Sequence, residues 1–154
     1  MMPVAEVRGN GRGFSRHHGG IDLMAPYGAP IRAAGTGEVI WAARYYAYGN
    51  MVDIRHGDGT VTRYAHLSRF APGLKPGKRV ALGELIGAVG TTGNAHGAHL
   101  HFEVRVDGAA IDPRPMIESA ACLTKPYTAP QLQANDTTPR PIAFVDARPG
   151  GLLD

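Results

Sequence analysis

"NMVDIRHGDGTVTRYAHL", residues 50 to 67, contains two nearly alternating segments rich in β-branched residues, with a turn between them. Asn50 to Arg55 and Thr60 to Leu67 are predicted to be strands, because alternation with a period of two is typical of a half-buried strand. The turn contains Asp58-Gly59, and glycine accepts the positive φ that a tight hairpin turn requires. The stretch therefore predicts an antiparallel β-hairpin.

More strands are predicted on both sides of this hairpin, at Gly35 to Ala43 and at His99 to Val106. Leu74 to Gly90 consists of short apolar pieces separated by Pro-Gly and Leu-Gly turns, which indicates tight β segments. Pro115 to Cys122 is the one stretch with a helical pattern. The chain has 21 glycines and 12 prolines in 154 residues, well above the average share of about 12%. The predicted fold class is mainly β, with few short helices.

The length fits one domain with a real core, and a change of composition marks where that domain ends. After Leu123 the chain is polar and is punctuated by five prolines: Pro126, Pro130, Pro139, Pro141 and Pro149. Its few apolar residues could not sustain a core. Residues 1–123 are therefore predicted to form the domain, and residues 124–154 an extended, Pro-rich C-terminal tail or arm.

Composition and charge argue against several classes of protein. Sixteen Lys and Arg against thirteen Asp and Glu give a net charge of +3, without the basic stripe that nucleic-acid binding needs. Cys122 is the single cysteine, so no disulfide can form within the chain. No apolar run approaches the roughly 18 residues of a membrane span. The N-terminus lacks the apolar core of a secretory signal, which indicates that the chain has no export route of its own.

Three histidines lie close together in "GNAHGAHLHFEV", residues 93 to 104. Residues i and i+2 of a strand face the same side, so His99 and His101 are expected to project together, with Leu100 on the opposite face. Glu103 follows on the histidine side, where we expect it to orient a neighbour or to cap an exposed strand. Two adjacent imidazoles form half of a metal site.

A second motif, "HHGGID", places His18 and Asp22 four residues apart, with two glycines that allow a bend between them. Two histidines and one carboxylate suit zinc, which in catalytic sites keeps three protein ligands and leaves a position for a water of lowered pKa. This chemistry permits hydrolysis. Either motif alone also occurs as a surface pair or a structural site, but "TRYAHLS" adds a further imidazole, His66, at the end of a predicted strand.

Four stretches between Arg16 and Pro113 resemble the lysostaphin-like (LytM-type) zinc metallopeptidases, which cut peptide cross-links in bacterial cell walls. They occur in the family's order and with its usual spacing: "RHHGGIDLMAPYGAPIRAAGTGEVIWAA", "YGNMVDIRHGDGTVTRYAHLS", "KPGKRVALGELIGAVGTTG" and "GAHLHFEVRVDGAAIDP". The resemblance implies a compact antiparallel β-sheet domain, a barrel-sandwich hybrid, and a Zn²⁺ cofactor.

The resemblance also implies roles for single residues. His18, Asp22 and His101 match the metal ligands, and His66 and His99 match the catalytic pair. Which of the two histidines is the general base stays open.

Asn50, at the family's "YGN" position, is expected to hydrogen-bond the substrate backbone, although a plain turn residue is an equal alternative. The neighbouring tyrosines, Tyr45 to Tyr48, are either loop packing or a wall of the substrate groove. His17 is expected in solvent or beside a ligand. His56 is expected to be structural, and no catalytic role is given to His96.

The expected function is zinc-dependent endopeptidase cleavage of the peptide stems of peptidoglycan, at the bacterial cell wall in the periplasm or outside the cell. Two cross-links are candidates for the cleaved bond: the bond between D-alanine and diaminopimelate, which we prefer, and the glycine bridge. Two alternatives stay open. One is a non-catalytic wall-binding or activator module. The other is a phage lysin or virion-associated tail component, with residues 124–154 as the arm that joins it to the particle.

Overall fold

The computed structural model describes residues 2–5 and 7–117, and this part of the chain is almost entirely β structure. The strands are β1 (Gly9–Asn10), β2 (Ile21–Met24), β3 (Pro30–Arg32), β4 (Gly37–Arg44), β5 (Asn50–Arg55), β6 (Val61–Phe70), β7 (Arg79–Val80), β8 (Leu85–Val89), β9 (His99–Val106) and β10 (Ala109–Ile111). A 3-10 helix, Tyr46–Tyr48, connects β4 to β5. No helix among the described residues is long and apolar enough to cross a membrane.

The strands pair in the order β1-β2-β9-β6-β5-β4-β7, with β10 on β9 and β8 between β3 and β6. Every pairing is antiparallel, which confirms the predicted fold class. The predicted hairpin is β5–β6. Residues 114–117 are helical, at the start of the helix predicted from Pro115; the rest of that helix and the tail at 124–154 lie outside the described residues.

Strand β9 separates the apolar core from a polar face. Leu100, Phe102 and Val104 are at most 1% exposed and pack into the core. The alternating residues His99, His101 and Glu103 point to the other side, as the period of two predicts, and they are buried as well. Since a fully buried leucine or phenylalanine stabilises a fold by about 1.5 to 3 kcal/mol, the core face fixes β9 and with it the polar face.

Gly20 brings the loop before β2 against the backbone of β9. A Cβ on Gly20 would clash with the carbonyl oxygen of Phe102 and would lie 2.8 Å from Cγ of Glu103. The glycine between His18 and Asp22 thus permits a close approach of two backbones, which is the reason that the HHGGID motif contains it.

We expect Gly20→Ala to lower the free energy of unfolding by about 1 to 3 kcal/mol, because one of the two backbones must move. Gly9→Ala is the matched control, since a Cβ at Gly9 meets nothing within 4 Å. Chemical denaturation of the two variants checks this, and equal unfolding midpoints would contradict it.

A buried chain of hydrogen bonds ties the β5–β6 hairpin to the rest of the sheet. The N–H of Ala34 donates to the Tyr64 hydroxyl (2.9 Å), which lies 2.9 Å from Oγ1 of Thr62. Oγ1 of Thr62 in turn lies 2.9 Å from Nε2 of His56, whose Nδ1–H donates to the carbonyl of Thr36 at 2.8 Å. Every hydrogen bond of this series can form with a neutral imidazole, so His56 is structural, as expected.

The pKa of His56 is lowered from 6.5 by burial, which the hydrogen bond to Thr36 offsets only in part. The unfolded chain therefore protonates His56 at a higher pH than the folded one does, and the contribution of His56 to stability is full above pH 6.5 and falls as the pH drops below it. We expect His56→Gln to flatten this pH dependence of the unfolding free energy. The exposed His96→Gln should keep the wild-type slope, and identical slopes in all three proteins would refute the assignment.

Candidate active site

The register between β2 and β9 brings the two predicted metal motifs together. Asp22 on β2 lies directly opposite His101 on β9, and Met24 lies opposite His99. Residues directly opposite in an antiparallel pair have their side chains on the same face. His18 precedes β2 in a tight loop in which Ser15 and His18 exchange backbone hydrogen bonds of 2.9 and 3.1 Å.

The three candidate ligands meet at one carboxylate oxygen. Oδ1 of Asp22 lies 3.1 Å from Nε2 of His18 and 3.0 Å from Nδ1 of His101. The ligand atoms of these three buried residues all lie within 4.8 Å of one another. Sequence reasoning proposed this set, and the structure brings it together.

The remaining ring nitrogens of both histidines are held by acceptors. Nδ1–H of His18 donates to the carbonyl of Gly13 (2.8 Å), and Nε2–H of His101 donates to Oε1 of Glu103 (2.9 Å). In a neutral imidazole the other nitrogen then carries a lone pair, and both lone pairs face the Asp22 carboxylate. Three acceptor atoms in contact repel unless a cation lies among them. Two imidazoles and one carboxylate, oriented by outer hydrogen bonds, are a donor set that fits Zn²⁺.

The electrostatics of the site favour an ionised carboxylate at its centre. Burial by itself would raise the pKa of Asp22, but the hydrogen bond with His101 and the nearby imidazoles of His99 and His18 outweigh it and hold that pKa well below 3.8. Burial would lower the pKa of His101, yet its hydrogen bonds to Asp22 and Glu103 raise it above 6.5, so a proton on Nδ1 balances the Asp22 charge wherever a metal cation does not.

Glu103 is the residue that orients His101, as expected from the sequence. It is 1% exposed, and besides His101 it accepts a hydrogen bond from the Tyr48 hydroxyl at 2.8 Å. These two bonds outweigh its burial and lower its pKa to about 2. The guanidinium of Arg63 lies 4.8 Å from the centre of the Tyr48 ring and forms a bidentate ion pair with Asp53.

His66 occupies a bend in β6 where the strand changes partners. Ala65 pairs with His101 on β9, whereas Leu67 pairs with Val89 on β8. Between them His66 has φ = 66°, a left-handed conformation that is uncommon for residues other than glycine. Such backbone strain costs about 1 to 3 kcal/mol and clusters at functional sites. Here it aims the imidazole at the metal motifs, with ring centres 4.8 Å from His99 and 5.9 Å from His101.

The two candidate catalytic histidines share one arrangement. Nδ1–H of His66 donates to the carbonyl of Thr92, and Nδ1–H of His99 donates to that of Gly97, both at 2.8 Å. Each ring thus has Nε2 left for chemistry. Nε2 of His99 is buried without a hydrogen-bond partner among the described residues and lies 3.6 Å from Oδ1 of Asp22. Burial lowers the pKa of His66 to about 4, so its imidazole is neutral at neutral pH.

A cleft of about 210 Å³ opens onto this cluster. Two candidate metal ligands, one candidate catalytic histidine and three further side chains are among the residues that line it: His18 and His101, His66, and Tyr48, Glu103 and Arg12. His17, which is exposed, also borders it. The exposed His96 does not appear in its lining.

Asn50 has an internal role in addition to any contact with substrate. Its Nδ2 donates to the carbonyl of Leu67 (3.0 Å), and its backbone N–H donates to Oγ1 of Thr92 (3.0 Å). Thr92 supplies the carbonyl that holds His66, so Asn50 supports that histidine. Contact between Asn50 and substrate stays a prediction.

Sequence reasoning missed Arg12 altogether. Its Nε donates to Oδ2 of Asp22 at 3.1 Å, and its side chain is 68% exposed at the cleft. No spacing pattern connects Arg12 to the metal motifs. The pairing of β1 with β2 places it there, since Asp22 N–H donates to the Arg12 carbonyl at 2.9 Å.

Comparison with known proteins gives one consistent result. The model of peptidase family M23 matches residues 16–113. Peptidoglycan DD-endopeptidase ShyC of Vibrio cholerae is 43% identical over 102 residues, which is 66% of this chain and 23% of ShyC. The catalytic domain of the antimicrobial peptidase lysostaphin from Staphylococcus simulans is 30% identical with a TM-score of 0.67, over 72% of this chain and 92% of that domain.

A zinc-containing peptidase from Vibrio cholerae has the same TM-score, 0.67, at 34% identity, and the match covers 72% of this chain and 37% of that structure. The chain spans less than a quarter of the length of the curated relatives that it matches first.

Proposed function

This chain belongs to peptidase family M23, and from that membership we propose that it is a zinc-dependent endopeptidase that hydrolyses peptide cross-links of bacterial peptidoglycan. The observation that carries the proposal is the meeting of His18 Nε2 and His101 Nδ1 at one oxygen of Asp22, beside a cleft open to solvent. Zinc bound there supplies the Lewis-acid chemistry of amide hydrolysis.

His66 and His99 are the proposed acid–base pair. With Nδ1–H of each ring held by a carbonyl, Nε2 of one ring takes a proton from the attacking water and a proton is delivered to the leaving amine. The other ring donates from Nε2–H to the carbonyl oxygen as it gains negative charge, a role that requires the imidazolium form because Nδ1–H is already held by a backbone carbonyl. Proton transfer by a positioned side chain contributes about 10² to 10⁴ in rate.

The bond between D-alanine and diaminopimelate is the proposed point of cleavage. A relative named as a peptidoglycan DD-endopeptidase supports peptidoglycan as the substrate. Action on the cell wall follows from the same proposal. Delivery by a phage or a virion stays a prediction, because the segment that motivates it, residues 124–154, lies outside the described residues.

Digestion of purified cell wall, with mass spectrometry of the products, tests this function. The expected result is loss of cross-linked dimers and appearance of monomers, which stops on chelation and resumes when zinc is returned. A non-catalytic activator would behave alike with and without the metal. Cross-linked dimers that stay intact after long incubation with the zinc-loaded protein would refute the proposal.

A further inference from the structure

Arg12 is a cation on the wall of the candidate active site, and only its Nε forms a side-chain hydrogen bond among the described residues. Two backbone hydrogen bonds fix the position of Arg12 beside Asp22. Gly11 N–H donates to the Asp22 carbonyl at 2.8 Å, and Asp22 N–H donates to the Arg12 carbonyl at 2.9 Å. Its Nε donates to Oδ2 of Asp22 at 3.1 Å. Within residues 2–5 and 7–117 its two terminal nitrogens have no hydrogen-bond acceptor.

The bond from Nε to Asp22 leaves the two terminal nitrogens of Arg12, which lines the cleft, available to a ligand that binds there. The two terminal nitrogens of an arginine form a planar fork that matches a carboxylate, with two parallel hydrogen bonds. Neither buried carboxylate of the described site competes for them, because Oδ1 of Asp22 faces the histidines and Glu103 is bonded to His101, Tyr48 and Arg105. Arg12 is therefore suited to an anion that arrives in the cleft with the substrate.

We propose that Arg12 is a specificity-determining residue that binds the α-carboxylate on the amino-acid residue supplying the nitrogen of the cleaved bond. The proposal rests on the function proposed above. In a cross-link to diaminopimelate, the carbon next to the scissile nitrogen carries a free carboxylate. In a glycine bridge that position continues as a neutral amide. One carbon atom separates this carboxylate from the scissile nitrogen, so the carboxylate must lie close to the reacting bond. Arg12 is in a position to meet it there, because it is bonded to Asp22, one of the candidate metal ligands.

A rival role for Arg12 is to hold Asp22 without touching substrate. The two roles differ in what they change. A residue that only orients Asp22 affects every substrate alike, whereas a carboxylate-binding residue affects only substrates that carry the carboxylate.

The test uses two cross-linked dimers that differ in one group, a free α-carboxylate or its carboxamide next to the scissile nitrogen. We expect wild-type protein to favour the carboxylate dimer by about tenfold in kcat/KM, a modest factor for an arginine–carboxylate pair because the exposed guanidinium is screened by solvent. Arg12→Ala should lose this preference by slowing the carboxylate dimer more than the carboxamide, whereas loss of the bond to Asp22 slows both alike. Arg12→Lys keeps the charge without the fork and should retain part of it. Arg69→Ala is the control, an exposed arginine outside the cleft lining.

Binding provides a readout independent of turnover. In a His66→Asn background the carboxylate dimer should bind more tightly than the carboxamide, and adding Arg12→Ala should remove that difference. Equal loss for both dimers, or no preference in the wild type, would overturn the carboxylate role while leaving the peptidase function intact. If the wild type cleaves neither dimer and leaves purified wall intact, the proposed function itself fails. Should Arg12→Ala not fold, the preference of the wild type and its reduction in Arg12→Lys decide the matter.

Discussion

Replacing His66 with alanine or asparagine should lower kcat on wall cross-links by at least about 100-fold, the usual contribution of a positioned acid or base, and leave the metal content at the wild-type level. His66 lines the cleft but is not one of the three residues whose ligand atoms converge. Its Nδ1–H is committed to the carbonyl of Thr92, so the variant loses one specific atom, Nε2, from the site.

The asparagine variant separates the effect of losing the imidazole from the effect of backbone strain at residue 66. His66 has φ = 66°, and asparagine adopts left-handed conformations more readily than alanine does. If the imidazole is what matters, both variants lose turnover to the same extent although alanine is the more strained. Turnover is measured on purified wall, and metal by elemental analysis of the same samples. Wild-type activity in His66→Asn would remove this residue from the mechanism.

His101→Ala should abolish both metal binding and turnover. It removes one of the two imidazoles in the candidate ligand set and also leaves Oε1 of Glu103 with Tyr48 as its remaining donor. Loss of an outer-shell partner alone costs about 10- to 100-fold in metal affinity, so loss of a ligand should cost at least about 100-fold. Glu103→Gln is the graded comparison, because it keeps all three candidate ligands and removes the charge that selects the His101 tautomer.

His96→Ala is the matched control for His101→Ala, since it removes an exposed histidine from the loop that precedes the same strand. Competition with a chromogenic chelator gives the metal affinity of each protein. The expected order of affinity is wild type equal to His96→Ala, then Glu103→Gln, then His101→Ala. Retention of wild-type affinity in His101→Ala would contradict the proposed ligand set.

The sequence was most informative about which face each residue of a strand occupies. Alternation in β9 predicted that His99, His101 and Glu103 share a side, and they do because the apolar residues between them are held in the core. The hairpin β5–β6 followed from Asp58-Gly59 in the same way. Such local signals depend on neighbours in the chain, so one sequence suffices to read them.

Contacts between distant segments were less accessible. Asp22 and His101 are 79 residues apart, and only the register of β2 on β9 sets them opposite each other. The resemblance to a known family supplied that pairing. The contact of Arg12 with Asp22, and that of Asn50 with the Leu67 carbonyl, depend on how β1 and β5 pair with their neighbours. Single polar residues bonded to remote partners leave no periodic pattern to detect.

The most direct test of the account is a crystal structure of the zinc-loaded protein, with anomalous scattering measured at the zinc absorption edge. We predict one zinc ion held by Nε2 of His18, Oδ1 of Asp22 and Nδ1 of His101, with its remaining coordination open to the cleft. An ion that does not share these three residues, or one enclosed by a fourth protein ligand, would contradict it.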